Sequence, residues 1–269
     1  MLPSGIVSCR PMFGIFKKDL APQCPLKEDR RQWVEHAFHW LTTNFDKEGI
    51  LHRKVLLPHH SDFPIRYNGD PQTAHDTLHI VATQMQIDPA DIQLNLYDDT
   101  INAISTGSPN GSKLYLGAAD SEPQTDEPFY GRNADGKYPI TVERSKLQNP
   151  ELLVAKLARE GAHIKLQGEG RIAALDEPLT DLTTLIFGLG IFNANAAFTS
   201  QNLHITGKNA RLTQMEWGYA LAVFARFRNE KNPAWANHLV KNIKSDFGKS
   251  EQYLTWHNPQ TPPADGATP

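Results

Sequence analysis

The chain has 269 residues, carries a formal net charge of −3 at pH 7 and is 39% hydrophobic. This length suits one large domain or two small ones, and the apolar share is sufficient for a sizeable core. The near balance of 27 basic and 30 acidic residues excludes a disordered polyelectrolyte and provides no basic field for binding nucleic acid.

The sequence lacks the usual signs of a membrane or secreted protein. No apolar run reaches the roughly 18 residues that span a bilayer, and residues 1–30 contain no continuous apolar segment typical of a signal peptide. The two cysteines, Cys9 and Cys24, are too few for a disulfide framework. We therefore expect a cytoplasmic protein with no membrane partner.

The N-terminal half mixes helices and strands. Apolar residues at helical spacing predict one helix over residues 30–45 and another over residues 72–84. Short β-type runs predict four strands, at residues 55–57, 92–96, 114–116 and 140–142. The polar, turn-rich stretch 117–137 is predicted to be a long loop, and long loops are often functional.

The C-terminal half is predicted to be helical. Its four predicted helices cover residues 149–167, 177–187, 213–228 and 232–247. Asn149-Pro150 is typical of a helix start, and Thr213 with Glu216 forms a capping-box pattern. Because strands and helices do not alternate regularly along the chain, the pattern predicts an α+β fold.

The domain organisation follows from these elements. We predict a single α+β domain over residues 29–257. Residues 1–28 are expected to form a flexible N-terminal arm. Residues 258–269 are rich in Pro, Thr and Ala and are expected to be a disordered tail.

The residues that could carry chemistry lie in the first two helices of the C-terminal half. A helical zinc hydrolase needs two ligands four residues apart on one helix face, a glutamate beside the first ligand as general base, and a third ligand from a later helix. Glu160 holds the general-base position, His163 the second-ligand position, and Glu177 can be the third ligand. Asp181 lies one turn beyond Glu177 and could orient a ligating imidazole. The first-ligand position holds Arg159.

This pattern resembles the zincin metallopeptidases, in the branch whose third ligand is a glutamate from a downstream helix. Over most of residues 12–255 the chain also resembles a group of uncharacterised bacterial proteins related to those peptidases. The segments that carry this similarity are Cys24-Pro25-Leu26, Arg31-Gln32-Trp33, Val55-Leu56-Leu57-Pro58, Leu153-Val154-Ala155, Thr180-Asp181-Leu182, Gly188-Leu189-Gly190-Ile191-Phe192, Gly218-Tyr219-Ala220-Leu221-Ala222 and Trp235-Ala236. In those relatives the helix reads His-Glu-x-x-His. The resemblance implies a zincin-like fold with a mixed N-terminal lobe, bound zinc and hydrolysis of peptides.

Arg159 is the departure from this pattern. A guanidinium has no lone pair to offer a metal, and it places a positive charge where Zn²⁺ would lie. Forked hydrogen bonds from Arg159 can instead satisfy the acidic cluster of Glu160, Glu177 and Asp181. We therefore expect an ion-pair network and no metal cofactor, with Zn²⁺ only if the site is functional.

Three functions remain open from the sequence. The first is a degenerate zincin, a pseudo-metallopeptidase that binds a protein or peptide. The second is an active zinc-dependent peptidase or amide hydrolase with an altered ligand set, in which water, His75 or His79 replaces the missing ligand. The third is a structural or interaction protein whose resemblance to zincins is limited to the fold.

Two further patterns have simpler explanations. His75 and His79 lie four residues apart on a predicted helix and could bind metal, but without a clear third ligand a solvent-facing pair is the favoured explanation. Gly188-Leu189-Gly190 lacks the third glycine of a dinucleotide-binding fingerprint, so it predicts close helix packing.

Overall fold

Helices make up most of the fold and short strands make up the rest. The computed structural model describes residues 21–98, 102–105, 113–116, 131–197 and 211–257. The predicted α+β class is confirmed.

Three helices form the N-terminal part of the described chain. α1 spans Glu28–Asn44, α2 spans Lys47–His52 and α3 spans Pro71–Gln84. The start of α3 is fixed by its cap, because the side chain of Asp70 accepts a hydrogen bond from the amide of Thr73 at 2.7 Å. The two helices predicted in this half therefore correspond to α1 and α3.

Two separate pairs of strands follow α3. β1 (Ile92–Tyr97) runs parallel to a later strand, and β2 (Asn102–Ser105) pairs with β3 (Lys113–Leu116) in antiparallel fashion. The partner of β1 is β4 (Tyr138–Glu143), with Ile92 opposite Tyr138 at the start of the register. β1, β3 and β4 coincide with three of the predicted strands. Of the predicted loop, residues 117–130 lie outside the described residues.

The helices of the C-terminal half begin at recognisable caps. The helices are α4 (Pro150–His163), α5 (Glu177–Ile186), α6 (Gly190–Ala196), α7 (Gln214–Phe227) and α8 (Lys241–His257). The side chain of Asn149 caps α4, that of Asp176 caps α5, and the predicted capping box of Thr213 and Glu216 is present at α7. α4 continues into one π-helical turn, Ile164–Gly168.

α4 is the central helix of the core. It packs against α3, α5, α6 and β4, while α7 packs along α8 and against α1. The inward face of α4 is buried through Leu153, Leu157, Ala158 and Ala162. Because α4 is held on several sides, the polar residues at its C-terminal end have fixed positions relative to α5.

The prediction of a strand at residues 55–57 is wrong. These residues are described and form no strand; the amide of Leu56 donates to the carbonyl oxygen of Gly188 at 2.9 Å. One neighbouring carbonyl, that of Lys54, accepts from the side chain of Gln84 at 2.8 Å. Leu56 is buried beside the turn after α5, and Val55 and Leu57 are half-buried, so the β-type composition of the run reflects burial and not sheet pairing.

The helix predicted over residues 232–247 is also wrong in its bounds. A 3₁₀ turn, Ala234–His238, comes first, and α8 then runs to His257. Asn232 has a φ of 47°, in the left-handed region, so it cannot serve as the extended residue that caps a helix.

The short helix α6 was not among the predicted elements. It begins at Gly190, where a Cβ atom would lie 2.7 Å from the Cδ1 atom of Leu185. Close packing around Gly188-Leu189-Gly190 is therefore present, and the apolar residues after Gly190 continue it as a helical turn.

The structure describes part of the predicted N-terminal arm and none of the predicted C-terminal tail. Residues 1–20 and 258–269 lie outside the described residues. Within the rest of the predicted arm, Leu26 is buried in the core and α1 already begins at Glu28. In the described ranges, every helix is too short or too polar to cross a bilayer.

Two glycines test how tightly α7 and α8 pack. A Cβ atom at Gly218 would lie 2.7 Å from Cβ of Asp246 and 2.9 Å from the backbone nitrogen of Phe247. Apart from its chain neighbours and its own helix backbone, no described atom lies within 4 Å of the Cβ position of Gly248. We predict that Gly218→Ala lowers the free energy of unfolding by about 1–3 kcal/mol, because the helix backbones must separate. Gly248→Ala should raise it by about 0.5–1 kcal/mol through helix propensity. Urea denaturation of both variants measures the difference, and effects of equal sign would contradict the packing described.

Candidate functional site

The C-terminal end of α4 faces the start of α5. α4 carries Arg159 and His163 one turn apart, and α5 carries Glu177 and Asp181 one turn apart. The side chains of Asp181 and His163 are 0% and 2% exposed, whereas those of Arg159 and Glu177 are 14% and 15% exposed. We call these four residues the Arg159 cluster. It lies at the edge of the core, with its deepest charge on Asp181.

The guanidinium of Arg159 bridges the two carboxylates. Its Nη1 donates to Oδ1 of Asp181 at 2.6 Å, and its Nη2 pairs with Oε2 of Glu177. A planar guanidinium can serve two carboxylates because its N–H groups point in fixed, separate directions. Arg159 therefore fills the space between Glu177 and Asp181.

Asp181 is also bound from the segment before α7. Nη2 of Arg211 lies 3.0 Å from Oδ1, and the backbone amide of Leu212 donates to Oδ2 at 3.1 Å. Two guanidinium groups and two carboxylates are thus balanced in charge within this site. The sequence predicted that Asp181 would orient the imidazole of His163, and the structure shows its carboxylate accepting hydrogen bonds from Arg159, Arg211 and the amide of Leu212.

His163 is the buried histidine of the Arg159 cluster, and its imidazole is neutral at pH 7. Its Nε2 lies 4.0 Å from Oε2 of Glu177, and its Nδ1 lies 3.4 Å from the hydroxyl of Thr180. Burial is the main cause that lowers the pKa of His163 to about 3, and the positive charge of Arg159 is the next. A neutral imidazole keeps a lone pair, which is the form that can ligate a metal.

Glu160 is placed differently from the other predicted site residues. Its carboxylate accepts a hydrogen bond at 2.6 Å from Nζ of Lys156, one turn earlier on α4. Its side chain is 13% exposed. The ion-pair network expected around Arg159 therefore contains Glu177 and Asp181, and Glu160 forms its own pair.

The donor set does not fit a zinc ion as it stands. In the parts of the chain that the structure describes, no group of three or more His, Cys, Asp or Glu side chains is placed to hold a metal. His163 and Glu177 offer one nitrogen and one carboxylate, but the first-ligand position holds the cationic group of Arg159. Zinc in a catalytic site requires three protein ligands with lone pairs.

The histidines considered as replacement ligands lie on the solvent side of α3. His75 and His79 are exposed, while Thr77, Leu78 and Val81 form the buried face of that helix. The helical spacing of the pair is as predicted, and its exposure matches the solvent-facing interpretation.

Sequence reasoning missed two residues of the site. Arg211 lies two residues before the cap of α7, and no local pattern links it to Asp181, thirty residues earlier. Thr180 is adjacent to Asp181 on α5 and faces the imidazole of His163. The helical phase of α5 could have indicated Thr180, since it lies three residues after Glu177.

No family model matches the chain, and no curated protein or solved structure matches it.

The burial of Asp181 leads to a prediction about stability. We predict that Asp181→Asn lowers the free energy of unfolding by about 3–5 kcal/mol, because Arg159 and Arg211 would lose a buried counter-charge. Glu160→Gln, which removes a partly exposed pair with Lys156, should lower it by less than about 1 kcal/mol. Urea denaturation of the two variants provides the comparison, and a loss below 1 kcal/mol for Asp181→Asn would contradict the role assigned to this carboxylate.

The neutral state of His163 leads to a prediction about pH. The pKa of His163 lies below its ordinary value of 6.5, so on acidification the unfolded chain takes up a proton at this residue before the folded chain does. Its contribution to stability is therefore complete above about pH 6.5 and is lost as the pH falls towards about 3. Between these values the contribution should fall by up to about 1.4 kcal/mol per pH unit.

Denaturation of matched variants between pH 7 and pH 4 checks this slope. His163→Gln should show a flatter pH dependence of the free energy of unfolding than the parent. His52→Gln is the control, because the side chain of His52 is 81% exposed. Parallel curves for the parent and His163→Gln would show that His163 does not titrate as described.

Proposed function

We propose that this protein is a zincin-like pseudo-metallopeptidase that binds a protein or peptide without hydrolysing it. The observation that carries the proposal is the position of Arg159. Its guanidinium joins Glu177 and Asp181 beside the neutral imidazole of His163, at the residue that corresponds to the first metal ligand of the motif.

The chemistry of the cluster supports loss of catalysis. A metallopeptidase needs a Lewis acid to polarise the scissile carbonyl and to lower the pKa of an attacking water. Arg159 supplies a permanent positive charge but no site at which water can be coordinated. Glu160, the predicted general base, is paired with Lys156 on its own helix. Without a metal, the water that such a base would activate is not held in place.

The exposed edge of α4 supports the binding half of the proposal. The side chain of Lys156 is 43% exposed, and those of Arg159 and Glu160 are 14% and 13% exposed. Arg159 and Glu160 are mostly buried and already engaged with Glu177, Asp181 and Lys156, so the group that α4 presents to solvent here is the ammonium of Lys156. The carbonyl oxygens and carboxylates of a peptide can accept hydrogen bonds from this ammonium.

Metal content is the first test of this proposal. We predict that the untagged parent protein contains no stoichiometric zinc by inductively coupled plasma mass spectrometry, whereas Arg159→His contains close to one zinc per chain. Arg159→Gln is the matched control, because it removes the same charge without adding a ligand. The double variant Arg159→His/Glu177→Gln should lose the zinc again, since it lacks the third ligand.

Each result bears on a different part of the proposal. Near-stoichiometric zinc in the parent would contradict the loss of metal and favour an active zinc hydrolase with an altered ligand set. Zinc in neither the parent nor Arg159→His would contradict the zincin-like arrangement of His163 and Glu177.

The binding half is tested in the same series with a random peptide library displayed on phage. The parent should enrich peptides that lose binding to Lys156→Glu, in which the charge at the exposed edge is reversed. Enrichment that is unchanged by Lys156→Glu, or no enrichment over an empty surface, would contradict peptide binding at this edge.

A further inference from the structure

A second candidate site lies at the opposite end of α4. A cavity of about 260 Å³ opens between the loop that follows residue 57, α3, the first turn of α4 and α6. None of the residues of the Arg159 cluster lines it. Whatever this cavity binds is therefore separate from the function proposed above.

The floor of the cavity is apolar. Phe63 and Phe192 meet edge to face, with their ring centroids 5.6 Å apart. Val154 on α4 and Phe192 on α6 are buried, and Ile65 is half-buried beside them. Covering an apolar surface of this kind, which is open to solvent at one side, with an apolar group is favourable because it removes that surface from water.

The rim of the cavity carries polar side chains with unused hydrogen-bonding capacity. The side chain of Glu151, in the first turn of α4, forms no hydrogen bond or ion pair with any part of the chain that the structure describes. His59 and His60 also line the cavity, and the ring of His59 packs against that of His238 with centroids 4.7 Å apart. Apart from the histidines, Glu151 carries the one formal charge among the described residues that line the cavity.

The first turn of α4 offers few free amides to a negatively charged ligand. The side chain of Asn149 already caps the amide of Leu152 at 3.1 Å, and Pro150 has no N–H group to offer. The carboxylate of Glu151 adds a negative charge at the same place. The electrostatics of the rim therefore favour a cation over an anion.

We propose that this cavity binds a small primary amine whose body is an aromatic ring or a branched aliphatic group. The apolar body covers Phe63, Val154 and Phe192, and the ammonium donates hydrogen bonds to Glu151 at the rim. An apolar cavity of about 150 Å³ in another protein holds benzene. A volume of about 260 Å³ accommodates such a ring together with a short aminoalkyl tail.

Calorimetric titration with three matched probes tests this proposal. Phenethylamine, 2-phenylethanol and phenylacetate share the ring and differ in the charge of the polar group. We expect phenethylamine to bind most tightly, phenylethanol more weakly and phenylacetate most weakly. Tightest binding of phenylacetate, equal binding of all three, or no binding of phenethylamine would each overturn the proposal.

Variants of the protein locate the binding. Glu151→Gln should weaken phenethylamine binding by about fivefold to tenfold and leave phenylethanol binding unchanged. Glu48→Gln is the control, because Glu48 is an exposed carboxylate that does not line the cavity. Val154→Phe, which adds volume at the floor, should abolish binding of both probes. Its thermal unfolding is recorded in parallel, and if it does not fold, the Glu151→Gln result alone decides.

Two peptides distinguish the two possible sources of the amine, a free amine and the N-terminus of a peptide. Phe-Gly-Gly-amide carries the same ring and ammonium at a peptide N-terminus, and acetyl-Phe-Gly-Gly-amide lacks the ammonium. Binding of the first peptide alone, at the affinity of phenethylamine, assigns the cavity to peptide N-termini. Binding of phenethylamine without either peptide assigns it to free amines, and tighter binding of the acetylated peptide would overturn the role of the ammonium.

Discussion

The buried carboxylate of Asp181 is the constraint on which the arrangement of the C-terminal helices depends. A charge that is fully removed from solvent must be compensated, or the folded state loses several kcal/mol. Asp181 is compensated by Arg159 from α4, by Arg211 from the segment before α7, and by the backbone amide of Leu212. Two separate parts of the chain, α4 and the segment before α7, therefore meet at one side chain of α5.

Arg159 therefore has a structural role, because it compensates the buried charge of Asp181. A divalent cation and a guanidinium both neutralise neighbouring carboxylates, but the guanidinium is always charged and always present. Unlike a divalent cation, a guanidinium cannot act as a Lewis acid. The low pKa of His163 is consistent with this arrangement, because a second positive charge beside Arg159 is unfavourable where burial already disfavours it.

Local signals in the sequence predicted much of the fold, and long-range contacts account for most of the errors. Asn149 and the Thr213 capping box mark helix starts because a cap is satisfied within a few residues. The run around Leu56 was interpreted as a strand because burial and sheet pairing favour the same residue types, and only the distant carbonyl of Gly188 decides between them. Arg211 could not be placed in the site, because its partner lies on another helix and no spacing rule connects the two.

The same contacts explain why one substitution could change the chemistry without unfolding the site. If Arg159 were replaced by histidine, Asp181 would keep Arg211 and the amide of Leu212, so its buried charge would remain compensated. Glu177 would lose its partner in the cluster and become available as a ligand. Its carboxylate would then lie beside the neutral imidazole of His163, with a second imidazole one turn away on α4. The separate compensation of Asp181 is thus the feature that leaves Glu177 free to bind a metal in such a variant.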